Sequence, residues 1–252
     1  MNRTFLLSAA LAAAVHALFA AAPAVAAEIR VAVAANFIEP VREIGALFTK
    51  ATGHQAVFSS GATGQLYTQI TQDAPFEVFL AADQGTPQKA IDDGFAVAGT
   101  RFTYGTGRLA LFSKDPVLVK GEVTLKEGRF AKLAIANPAT APYGAAAVEV
   151  MKVLGVHDAL APKLVQGNNI AQTYQFVETG NAELGFVALS QIVRHAEGSR
   201  WLVPDSLHAP IAQDAVLLKR GADIEAARAF LAFLRGPEGR AVVEKFGYGL
   251  GN

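Results

Sequence analysis

Cysteine is absent from all 252 residues, which removes thiol catalysis, thiolate metal sites and disulfide exchange from consideration. Neither sign of charge is in excess, since 22 Lys and Arg stand against 22 Asp and Glu. A balanced chain without a basic run gives no electrostatic handle to nucleic acid or to an anionic membrane surface. Beyond residue 26 no apolar run is long enough to span a bilayer. The histidines of that part, His54, His157, His195 and His208, are scattered and lack metal-ligand spacing. No serine sits between the glycines of a nucleophile elbow, and Gly61-x-x-Gly64 is not followed by the Lys-Ser/Thr of a nucleotide loop.

What is present begins with a leader. Arg3 gives a positive start, Phe5 to Ala22 is apolar and Ala-rich, and Ala24-Val25-Ala26 forms a small-residue cleavage site. Residues 1–26 therefore read as a cleavable signal peptide that sends the remainder to the periplasm. An exported chain without disulfides must rest on its core alone, and residues 27–252 suffice for that.

From Glu28 onward, β-type apolar runs alternate with helical periodicity, the pattern of an α/β protein with mainly parallel strands. Ile29 to Val33 reads as the first strand. Asn36 then stands as a helix cap, and Phe37, Val41, Ile44 and Phe48 fall at helical spacing up to Gly53. Gln55 to Phe58 and Val78 to Ala81 are further strands, each followed by a helix. After Arg101 the pattern changes. Leu109 to Phe112 looks like a strand leaving one lobe and Ala215 to Leu218 like one returning, with a second α/β set between them. The chain thus divides into lobe 1 (27–108 and 209–252) and lobe 2 (109–208), joined by a hinge of two crossings.

Four turns share one form: Ala34-Ala35-Asn36, Ser59 to Gly64, Asn137 to Gly144, and Gly167-Asn168-Asn169-Ile170. Each is expected to link a strand to a helix start, where unpaired N–H groups and a partial positive charge make an anion site. None contains Lys, Arg, Asp, Glu or His. Recognition would then rest on neutral donors: backbone N–H groups, the hydroxyls of Ser60, Thr63 and Tyr143, and the amide of Asn36. A protonated anion such as hydrogen phosphate must donate a bond to an acceptor, so an all-donor pocket prefers a fully deprotonated tetrahedral dianion.

Val33-Ala34-Ala35-Asn36-Phe37, Phe58 to Gly64, Pro75 to Asp83, Ala136-Asn137-Pro138 with Ala141-Pro142-Tyr143-Gly144, and Leu184 to Ala188 follow one another in order, with Leu234-Arg235-Gly236-Pro237 and Phe246-Gly247-Tyr248 near the end. Together they resemble the periplasmic molybdate-binding proteins of ABC transporters over essentially the whole exported chain. The resemblance implies the two-lobed type II periplasmic binding protein fold. It implies a monomeric receptor with no enzymatic activity and no cofactor, which captures molybdate or tungstate between its lobes. The cargo would pass to a membrane permease driven by a cytoplasmic ATPase, with molybdenum or tungsten held only as the oxyanion and no protein ligand on the metal. Carried over by position, the resemblance puts oxyanion ligands at Asn36, Thr63, Tyr143 and Ile170, with Ala35 beside Asn36, and secondary positions at Ser60, Gly144 and Ala188. Ile170 can offer only its backbone N–H. The family more often has serines at the positions of Asn36 and Thr63, a small residue at Tyr143 and a tyrosine at Ala188. The resemblance therefore implies redistributed donors, with Tyr143 replacing the missing phenol from another wall. Two other readings compete: a receptor of the same fold for sulfate or a small organic acid, and a periplasmic hydrolase using Ser59-Ser60. A carboxylate ligand would normally call for an Arg, and the four turns have none.

Overall fold

The computed structural model describes residues 26–250. The leader expected at 1–26 lies outside them but for its last residue. Among the described residues no helix is long and apolar enough to cross a membrane.

The strands are β1 (Glu28–Ala34), β2 (Gln55–Gly61), β3 (Val78–Leu80), β4 (Phe102–Gly107), β5 (Leu109–Ser113), β6 (Leu133–Ala136), β7 (Leu164–Gly167), β8 (Leu184–Ala188), β9 (Ser199–Leu202) and β10 (Ile211–Leu217). The helices are α1 (Ile38–Thr52), α2 (Thr63–Thr71), α3 (Gly85–Asp92), α4 (Val123–Glu127), α5 (Pro142–Val153), α6 (His157–Leu160), α7 (Ile170–Glu178), α8 (Leu189–Ile192), α9 (Glu225–Arg235) and α10 (Pro237–Lys245). They flank two five-stranded sheets with orders β2-β1-β3-β10-β4 and β7-β6-β8-β5-β9. Each sheet joins three parallel strands to a fourth that runs against its neighbours, β10 in the first and β5 in the second. The chain leaves the first sheet for the second through Arg108 and returns through residues 203–210.

The core follows from the apolar periodicities. Ile29, Val31 and Val33 of β1 meet Phe37, Val41, Ile44 and Phe48 beside α1, and Phe230, Leu234 and Val243 of the C-terminal helices close over them. Phe48 and Phe230 pack edge to face at 5.4 Å; full burial of a side chain of this size contributes about 1.5–3 kcal/mol. Gly53 ends α1 with φ 78° and donates its N–H to Thr49 O, the left-handed cap that a Cβ would oppose. The opposite face of the first sheet buries Phe79, Ala81 and Val216 under Leu66 and Ile70 of α2.

Register places the functional end. Ala34 of β1 pairs with Gly61 of β2, and Ala136 of β6 with Gly167 of β7. Each parallel pair therefore ends level and opens two helical segments side by side, at the carboxyl ends where α/β sheets bind ligands. One expectation needs correction here. Ser59, Ser60 and Gly61 were read as part of a turn, but β2 runs straight through them because parallel pairing with β1 continues to Ala34. The turn itself is reduced to Ala62.

Candidate functional site

Between the two sheets lies a small pocket, with about 10 Å³ open to the centre of a water-sized sphere, lined by Ala34, Ala35, Asn36, Gly61, Ala62, Thr63 and Ala82 on one side and Ala141, Pro142, Tyr143 and Ile170 on the other. All four turns contribute. The structure thus brings together the five principal positions expected from the sequence: Ala35, Asn36, Thr63, Tyr143 and Ile170. The space is small beside the roughly 300–1,000 Å³ of ordinary small-molecule pockets. No charged residue lines it.

The secondary positions lie elsewhere. Ser60 is exposed on β2, an edge strand. Gly144 lies behind the pocket, where a Cβ would collide with Ala136 O; its lack of a side chain lets α5 start tight against the end of β6. Ala188 is fully buried at the end of β8, with its N–H bonded to Gln191 Oε1 at 2.9 Å. None of the three lines the pocket.

The helix starts are prepared unequally. The residues preceding α2 and α5 are Ala62 and Ala141, which make no side-chain cap, and Pro142 opens α5 where a missing N–H costs nothing. Of the first N–H groups of these helices, Gly64 N goes to Thr140 O and Gly144 N to Ala141 O, and an anion in the pocket would satisfy those of Thr63 and Tyr143. Helix α7 differs: Asn169 caps it by accepting from Gln172 N at 3.0 Å. The sheets also touch directly beside the pocket, where Gly64 N donates to Thr140 O at 3.0 Å.

Asn36 is not the helix cap that its position suggested. It is buried, and its Nδ2 donates to Gln213 Oε1 at 2.8 Å and to Tyr248 OH at 2.9 Å. Its carbonyl oxygen accepts from Ser190 Oγ at 2.8 Å and Tyr248 OH at 2.9 Å. Both amide hydrogens are thereby committed inside the protein, so the Asn36 side chain has no donor left for the pocket. Thr63 Oγ1 accepts from Ala82 N at 3.0 Å, which leaves its hydroxyl hydrogen for the pocket. Tyr143 OH accepts from Gln213 Nε2 at 3.1 Å.

These contacts extend into a buried polar cluster that joins the two sheets behind the pocket. Tyr104 OH lies 2.8 Å from Gln213 Oε1 and 2.9 Å from Ala81 O. Burial pushes the Tyr104 and Tyr143 phenols well above their ordinary range, with neighbouring phenols adding to the effect, and burial raises Tyr248 to about 12. All three therefore stay protonated and neutral near pH 7. Asp83 accepts from Thr86 N at 2.6 Å in front of α3, and its carboxyl is raised chiefly by burial.

Sequence reasoning missed Gln213, Tyr104 and Ser190 entirely, and it quoted Tyr248 only as part of a motif. A polar pair, Gln213-Asp214, inside the otherwise apolar β10 was the available signal. Both are buried, and a buried polar side chain in a strand requires partners.

A family model described as bacterial extracellular solute-binding protein matches residues 29–249. The molybdate-binding protein ModA of Rhodobacter capsulatus is 54% identical over 228 residues, 90% of this chain and 90% of its own. The protein of that name from Azotobacter vinelandii is 53% identical over 234 residues, 91% of this chain and 93% of its own. Among solved structures, the Azotobacter vinelandii periplasmic molybdate-binding protein superposes with a TM-score of 0.86 at 38% identity, over 89% of this chain and all of that one.

Proposed function

This chain belongs to the bacterial extracellular solute-binding proteins, in the branch of the molybdate-binding proteins, and we propose that it captures molybdate or tungstate in the pocket between its sheets. The carrying observation is the lining: a small pocket bounded by four helix-opening turns without a charged side chain. A dianion there is held by dipoles and neutral donors alone. Charge-assisted hydrogen bonds contribute roughly 1.5–3 kcal/mol each, so several from backbone N–H groups and the Thr63 hydroxyl outweigh dehydration of a small ion.

The ligand's oxygens meet donors from both sheets, so ligand binds the closed arrangement more tightly than an open one and draws the lobes together. The closed form is what the protein presents to the ABC permease. No bond is made or broken in the cargo, and the molybdenum or tungsten stays inside its oxygen shell. The leader read at residues 1–26 supports delivery to the periplasm, and the receptor works as a monomer.

Isothermal titration with molybdate, tungstate, sulfate and phosphate tests the assignment. Molybdate and tungstate should bind at least about a hundredfold more tightly than the other two, a gap of roughly 2.7 kcal/mol. Equal or tighter binding of sulfate or phosphate overturns the assignment and leaves the fold untouched.

A further inference from the structure

The two sheets meet on opposite sides of the pocket, and the two meetings differ. The chain crosses at Arg108, between β4 and β5, and along residues 203–210, between β9 and β10. Gly107, at the first crossing, lies so close to the Tyr143 hydroxyl and Gln213 Nε2 that a Cβ there would collide with both. The buried polar cluster therefore stands at the hinge. β2 ends the first sheet at the edge away from β10 and β4, and β7 and β6 lie at the edge of the second away from β5 and β9. Helix α2 starts just beyond β2 and Thr140 lies just beyond β6, so their contact is on the far side, at the mouth. There Gly64 N donates to Thr140 O at 3.0 Å. Rotation about the crossings moves the mouth furthest, so this bond breaks when the cleft opens.

The contact at the mouth is made of backbone and is incompletely satisfied. A Cβ on Gly64 would stand 3.3 Å from Thr140 Cα and 3.4 Å from its Cβ and carbonyl oxygen, so the missing side chain is what lets the two segments touch. Thr140 Oγ1, carried on that same Cβ, is buried and has no hydrogen-bond partner. Such a hydroxyl is hydrated when the mouth is open, and burying it unpaired opposes closure. Neither residue lines the pocket. From this geometry we infer that Gly64 and Thr140 form a latch that sets how long the oxyanion is held: the Gly64 N–H fastens it, and the unpaired Thr140 hydroxyl weakens it and so speeds release. The inference rests on the oxyanion reading above and on closure around the ion, and it adds an affinity-determining pair that does not touch the cargo.

Thr140→Val exchanges the hydroxyl for a methyl of similar shape, Thr140→Ser keeps the hydroxyl, and Gly64→Ala inserts a methyl into the contact on a helix that accepts Ala well. Stopped-flow mixing measures molybdate association and dissociation, and thermal unfolding without ligand checks that each variant is folded. Thr140→Val should release molybdate about fivefold more slowly, the rate equivalent of the lower end of the cost of an unpaired hydroxyl, with association unchanged. A gain of this kind cannot come from damage to the fold. Thr140→Ser should stay within about twofold of the unaltered protein, and Gly64→Ala should release the ion about tenfold faster. Release from Thr140→Val that is unchanged or faster, equal slowing in Thr140→Ser, or unchanged release from Gly64→Ala overturns the inference. Failure of the unaltered protein to bind molybdate would instead overturn the oxyanion reading.

Discussion

The two walls of the pocket handle their polar side chains in opposite ways. On the wall from the first sheet, Asn36 gives both amide hydrogens to protein acceptors and Thr63 Oγ1 receives Ala82 N. Those side chains mainly fix the backbone that faces the ligand. On the wall from the second sheet, Ile170 has no polar side chain, Asn169 caps α7 and the Tyr143 phenol receives Gln213 Nε2 in the buried cluster, so that wall offers backbone to the pocket. One wall thus keeps a side-chain hydrogen, that of Thr63, for the pocket, and the other offers backbone donors alone. The two are joined through Gln213, which touches Asn36 and Tyr143 at once. A binding site without charge depends on such orientation, since a misdirected neutral dipole contributes nothing and a committed one cannot be redirected.

The two asparagines are the sharpest way to break this contrast. Asn36→Ala should have the larger effect, because it strips partners from Gln213 Oε1 and Tyr248 in a buried site. Gln213 Oε1 keeps Tyr104 and Tyr248 keeps the Asn36 carbonyl, so the loss is two buried hydrogen bonds at roughly 0.5–1.5 kcal/mol each: stability should fall by about 2 kcal/mol in urea unfolding and oxyanion affinity by roughly tenfold or more. Retained affinity in a destabilised variant would show that the first wall does not need this side chain to present its backbone. Asn169→Ala removes a cap alone. It should cost about 1 kcal/mol of stability and change affinity by no more than about twofold, a difference of some 0.4 kcal/mol, because the Ile170 N–H stays in place.

The contrast also explains what could be read from the chain. β1, α1 and α5 follow from local periodicity and end signals, and the four turns were visible as short charge-free segments. Their convergence followed from α/β geometry, since helix starts gather at strand carboxyl ends. Two local signals misled. Ser59-Ser60-Gly61 has turn composition, yet register with β1 extends the strand through it. Asn36 stands where a cap would stand, yet its partners are 177 and 212 residues away. Hydrogen-bond networks assembled over such separations leave no periodic trace. The short strands β4 and β9 were missed for a related reason: neighbouring strands complete them, with little help from their own Thr-, Gly- or Arg-containing sequences.

The smallest expected effect tests the phenol cluster directly. Free tyrosine ionises near 10, and burial raises Tyr104 and Tyr143 well above that and Tyr248 to about 12. For an acid whose folded pKa is raised, the neutral native form is favoured. Its contribution to stability is therefore complete below the unfolded value and is lost as pH rises through 10 toward the folded value. Oxyanion affinity should accordingly stay constant within about twofold from pH 7 to about 10, some 0.4 kcal/mol, because the phenol cluster behind the pocket stays neutral throughout. Urea midpoints should decline only above about 10, as unfolded phenols begin to ionise and buried ones do not. Ultraviolet titration of the phenolate band measures the same lag without ligand. A loss of affinity centred well below 10 would mean that a phenol in the cluster ionises early, and the backing of the pocket could then no longer be described as neutral.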